Sequence, residues 1–149
     1  MKFLRILFIL LIAIFVLAQF VPIDKTNPEF EASNDLIVME NPPEDIAQML
    51  RAACYDCHSN ETVWPWYSNV APISIIVEKH VVEGRDNLNF SFWGEFDQED
   101  KDYVIEEIIE EIEEGDMPFP GYDLAHSDAK LSAEQQEKLF AWLRSLQSR

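Results

Sequence analysis

The chain has 149 residues, 48% of them hydrophobic, with 28 Asp and Glu against 11 Lys and Arg. Length and composition suit one globular domain and exclude a disordered chain. A formal net charge of -17 excludes nucleic acid as a partner, because binding phosphates takes clustered Lys and Arg.

Lys2 and Arg5 precede an unbroken apolar run over residues 6–18. Val16-Leu17-Ala18 places a small residue where a signal peptidase cuts. Phe20 and Val21 continue the run past Gln19, to about the minimum length for a bilayer-spanning helix. Residues 1–21 therefore read as a signal peptide or a membrane anchor, with the positive charges holding the N-terminus inside. No cysteine lies near this segment, which excludes a lipid attached there. The expected location is exported and periplasmic, tethered to the cytoplasmic membrane or released if cleaved. Residues 22–43, punctuated by prolines, read as a linker, and residues 44–149 as the domain.

Within the domain, residues 44–53 predict a short helix with acidic residues in its first turn. Cys54-Tyr55-Asp56-Cys57-His58 follows at or just beyond its end. Trp64-Pro65-Trp66-Tyr67 is an aromatic loop. Residues 72–83 predict a second helix closed by Gly84, and residues 87–95 a loop holding Phe90, Phe92 and Trp93. Val104, Ile105, Ile108, Ile109 and Ile112 recur at helical spacing in a third helix over 97–114, which Gly115 stops. Ser132 caps a fourth helix, with Gln135 completing a capping box, and Leu139, Phe140, Trp142, Leu143 and Leu146 form its apolar stripe. Sustained strand alternation is absent, so the fold class is all-α.

Cys-x-x-Cys-His has a mechanical rationale. Two thiols three positions apart can each add to a vinyl group of one porphyrin, and the adjacent histidine then sits under the iron. Three rivals compete. A thioredoxin-type redox pair needs a βαβ setting that is missing here. Structural zinc needs four ligands, and the chain holds only two Cys and three His. A disulfide between Cys54 and Cys57 would close a very short loop and stabilise little. Haem attachment leads, and export fits it, because covalent haem assembly takes place outside the cytoplasmic membrane. Trp64 and Trp66 are candidates to line a flat apolar cofactor, beside Phe90, Phe92 and Trp93, although ordinary core packing explains any one of them.

The iron also needs a ligand opposite His58. Met117 is the first choice: it stands between Gly115 and two prolines, and a thioether raises the reduction potential. Ordinary methionine gap-filling is the alternative role. His126 and His80 are the competing ligands, in that order. Arg85 is a candidate partner for a haem propionate.

With those residues in view, the chain resembles the haem-binding domain family of small exported bacterial c-type proteins. The matching pieces are Cys54-Tyr55-Asp56-Cys57-His58-Ser59-Asn60-Glu61-Thr62 and Trp64-Pro65-Trp66-Tyr67-Ser68-Asn69-Val70-Ala71-Pro72. Further on come Glu83-Gly84-Arg85, Leu88-Asn89-Phe90-Ser91, Gly115-Asp116-Met117-Pro118 and Leu131-Ser132. Phe119 stands where the resemblance would put a second proline. The resemblance implies one covalent haem c on a cytochrome-c-like domain of about four helices, with Cys54 and Cys57 as attachment points and His58 as axial ligand.

The functional expectation is one-electron transfer in the cell envelope by His58/Met117-ligated iron, a carrier and not a catalyst. Its acidic surface would select basic redox partners. The alternative is a haem sensor or small peroxidase with an open or displaceable distal site, for which His126 is the only obvious acid-base group.

Overall fold

The computed structural model describes residues 1–147; residues 148 and 149, the last of the expected domain, lie outside the described residues. The described residues form helices and loops without a strand, as the periodicity predicts.

Helix α1 (Lys2–Ala18) is apolar around its whole circumference beyond Arg5 and buries no residue. It is 17 residues long, and among the described residues no helix is long and apolar enough to cross a membrane. Its end is tied to the domain: Gln19 donates to the Ala71 carbonyl at 3.1 Å and accepts from the Ala71 N–H at 3.0 Å.

Residues 22–43, expected as a linker, are packed against the domain. The extended stretch before α2 (Leu36–Glu40) is pinned by Lys25 to Asn69, Asn27 to the Thr62 carbonyl, and the Asp24 N–H to Glu78. Asp35 caps α2 by accepting from the Ile37 and Val38 N–H groups, a contact that commonly contributes about 1 kcal/mol. Leu36 is completely buried. Proline and polar composition marks an absence of regular structure, and side-chain hydrogen bonds are what tie this stretch to the domain.

Helix α3 (Glu44–Leu50), α6 (Gln98–Glu114) and α7 (Ala133–Arg144) enclose the main core. Ile46 and Leu50, Ile105 and Ile109, and Leu139 and Leu143 meet there, with Leu36, Tyr55, Phe90 and Trp93 closing one side. The predicted end of α6 and start of α7 hold. Gly115 ends α6 at φ +82, a left-handed conformation that glycine adopts without a steric penalty. The Ser132–Gln135 capping box opens α7.

Helix α5 (Ile73–Asn87) differs from expectation. Gly84 does not close it but lies inside it, buried. Glycine is there for room and not for termination.

Candidate functional site

The helical path does not stop before the cysteines. After Leu50 it widens into a π turn over Arg51–Tyr55 and re-forms as α4 (Asp56–His58). Single π turns inside helices are frequent at functional sites. Cys54 and Cys57 are both free thiols and partly buried.

Tyr55, between them, is buried. Its hydroxyl points at the Asp35 carboxylate, 3.0 and 3.1 Å from the two oxygens, and accepts from the Ile37 N–H at 3.2 Å. Its ring stacks on Phe90 with centroids 5.4 Å apart. Burial, then the neighbouring Asp35 charge, push the Tyr55 pKa far above its ordinary value. A residue that counts only as spacing in the motif is thus the nail that holds the motif to α2.

His58 lies against Phe90, ring centroids 6.2 Å apart, with Nδ1 at 3.1 Å from the Leu88 carbonyl. A carbonyl only accepts, so the proton sits on Nδ1 and Nε2 keeps its lone pair. Burial lowers the His58 pKa, opposed by the Leu88 and Gly84 carbonyls. A neutral imidazole with a fixed tautomer is the state a metal ligand requires.

Helix α5 reaches the motif at Gly84. A methyl group on Gly84 would come 2.6 Å from the Cys57 carbonyl oxygen and 3.0 Å from its carbon. Arg85, next along, donates to the Ser59 carbonyl, the Thr26 carbonyl, Asn27 Oδ1 and Thr62 Oγ1. The guanidinium expected beside a propionate therefore clamps the motif to the segment before α2.

Of the expected lining residues, Trp64 is half-buried, and its indole Nε1 is a buried donor with no acceptor among the described residues. Trp66 is 79% exposed, its ring edge-on to Tyr67. Trp93 belongs to the core: fully buried, with Nε1 donating to Glu40.

Loop 115–126 brings the distal candidates together. Met117 is 36% exposed, and its N–H donates to the Glu111 carbonyl at 3.0 Å. Phe119, two residues on, packs on His80 with ring centroids 4.2 Å apart. His80 lies four residues before Gly84, on the face of α5 that meets Cys57. At the far end of the loop, Tyr122 donates to Asp56 Oδ2 at 2.8 Å. The His126 ring stacks on Tyr122, and its Nε2 shares a 2.6 Å hydrogen bond with the Tyr67 hydroxyl. Tyr67, Tyr122 and Asp56 escaped the sequence reading. Asp56 and Tyr67 figured only as members of quoted motifs, and Tyr122 only as a tyrosine four residues before a histidine.

Burial disfavours the thiolate form of both cysteines. Burial first, and then Cys57, push Cys54 up to about 12; burial and then Asp56 push Cys57 to about 11. A catalytic dithiol needs the opposite shift. Among the described residues no group of three or more His, Cys, Asp and Glu gathers to hold a metal ion. Zinc and dithiol readings both lose ground on this geometry.

A family model described as a haem-binding domain matches residues 13–145. The chain belongs to the haem-binding domain family. No curated protein and no solved structure matches it. Haem is the cofactor of this domain, and its residues fit the group. The imidazole of His58 is oriented and its pKa lowered by burial, two free thiols precede it in the motif, and the buried Trp64 donor has no acceptor among the described residues. Flat or apolar side chains stay accessible at Ile76 on α5, Phe119 in the loop and Trp66 in the turn before α5.

Proposed function

We propose that this haem-binding domain carries one haem c, attached through Cys54 and Cys57, with His58 as proximal and Met117 as distal iron ligand, and works as a one-electron carrier in the cell envelope. The observation that carries the reading is the Nδ1–Leu88 hydrogen bond of His58, which leaves Nε2 as the nitrogen with the lone pair. Bound haem supplies a one-electron redox centre; the chain supplies its frame.

Met117 ranks ahead of His126 because His126 Nε2 is held by Tyr67. It ranks ahead of His80 because the latter's ring is covered by Phe119. The same engagement of His126 weakens a peroxidase, which needs a free acid-base group beside an open iron. The exposed apolar surface of α1 supports attachment to a membrane, since so large a patch is normally covered. The net charge of -17 supports basic redox partners.

Absorption spectra of the purified protein test the proposal, with a pyridine assay for covalent haem and addition of carbon monoxide. A c-type pyridine spectrum with a far-red Met-to-iron band that ignores carbon monoxide is expected. A high-spin spectrum that binds carbon monoxide turns the reading to a sensor or peroxidase. Absence of covalent haem, from a host able to attach it, overturns it.

A further inference from the structure

The distal loop is fastened to the proximal motif by side chains that the ligand assignment does not use. Two left-handed glycines, Gly115 at φ +82 and Gly121 at φ +91, bracket Met117. Around Gly115 nothing lies within 4 Å of an added methyl, and around Gly121 only Leu124 does, at 4.0 Å. These glycines serve backbone conformation and not space, so the short segment between them turns sharply at both ends. Beyond Gly121 the chain is held at two points. Tyr122 donates to Asp56, the residue directly before Cys57. The other Asp56 oxygen accepts from the Val63 N–H at 2.9 Å, so both are engaged and the carboxylate has a fixed direction. Four residues on, His126 lies parallel to Tyr122, rings 4.1 Å apart and 7° from coplanar, and meets Tyr67. Backbone bonds from the Ala125 and His126 N–H groups to the Tyr122 carbonyl close the turn between these two points.

We infer that Tyr122 and His126 are positioning residues for the distal methionine: by latching loop 115–126 to Asp56 inside the haem motif and to Tyr67 just after it, they hold Met117 and His58 in one frame. This rests on the His58/Met117 reading. Without the latch the Met117 segment keeps its glycine turns, the bond from its N–H to the Glu111 carbonyl and the Phe119–His80 contact, but loses its hydrogen-bonded ties to the motif. A thioether that can swing away exposes the iron to competing ligands.

The test compares wild type with Tyr122→Phe, Tyr67→Phe and the double variant, which remove hydroxyls and keep the rings. Tyr103→Phe, on an exposed face of α6, is the control. Two readouts are taken. On the haem-loaded proteins, the Met-to-iron band and carbon monoxide binding are measured. On the haem-free chains, hydrogen exchange of the Ala125 and His126 amides is measured. Expected are full haem attachment in all variants, a fraction open to carbon monoxide that rises about tenfold in each single variant and further in the double, and amide protection reduced about tenfold. Carbon monoxide binding and exchange equal to wild type in both single variants overturn the inference and leave the ligand reading intact. A wild type that already binds carbon monoxide overturns the link to Met117 together with that reading. Faster exchange in haem-free Tyr122→Phe would then show the latch holding the loop for another purpose.

Discussion

Gly84 presses its backbone against the Cys57 carbonyl so closely that an alanine methyl would sit 2.6 Å from the oxygen. Two effects oppose each other in Gly84→Ala. Helix propensity favours alanine inside a helix by about 1 kcal/mol. The clash is with backbone atoms, which cannot swing aside, and overpacking of that kind costs about 1–3 kcal/mol. A net loss of stability is expected, read as a lower urea midpoint. A rise in the midpoint would mean that α5 can back away from the motif freely.

Replacing both thiols, Cys54→Ala with Cys57→Ala, is expected to abolish the haem stain on a denaturing gel. Stain retained by the double variant contradicts covalent attachment.

Thiol chemistry in the haem-free chain gives a pH prediction. With Cys57 pushed to about 11 and Cys54 to about 12, thiolate at pH 7.5 is roughly one part in three thousand or less. Iodoacetamide should therefore label the folded chain far more slowly than the chain in urea, where both thiols return toward 9.0. The linkage has a definite sign. Burial raises these acids, so the stability they contribute is complete below pH 9 and is lost as pH climbs toward 11. Equal labelling rates with and without urea would sink both statements.

Met117→Ala is expected to move the iron toward high spin, open it to carbon monoxide and lower its reduction potential, because the thioether that favours the reduced state is gone. An unaltered spectrum would shift the distal assignment to His126 or His80.

Tyr55→Phe removes one hydroxyl and strands part of a buried acid. Asp35 keeps the Ile37 and Val38 N–H groups but loses its side-chain donor. The expected cost is about 1–3 kcal/mol in unfolding free energy, measurable by urea titration of the haem-loaded protein. A smaller effect in Tyr103→Phe, which is exposed, provides the comparison.

The helices of the main core were legible because their signals are local. Ile105, Ile109 and Ile112 repeat at helical spacing, and Ser132 with Gln135 announces a start, and both are found as expected. The reach of the first helix was misjudged. The expectation put the cysteines at or just beyond its end, and a π turn carries the helical path on through Cys54 to His58. Propensity does not encode an extra residue per turn. Gly84 was taken as a terminator because glycine in a pattern signals a stop, whereas its cause lies 27 positions away at Cys57, which no window along the chain can see. The same distance hid Tyr122 and Tyr67. Each touches a partner more than fifty residues off. Cys54, Cys57 and His58 stand out in the sequence as the candidate attachment motif because that reading depends on spacing alone.

The pinned stretch ahead of α2 changes what α1 can deliver. A free ten-residue tether would let the domain wander about 18 Å from its attachment point. Here Gln19 is locked to Ala71, Lys25 to Asn69, and Thr26 and Asn27 to Arg85, so that slack is absent. Under the proposed membrane attachment, the helix and the domain would arrive at that surface as one piece. Whatever stands beside α1 there meets the same side of the domain at every encounter, at an effective concentration set by contact geometry and not by a diffusing leash.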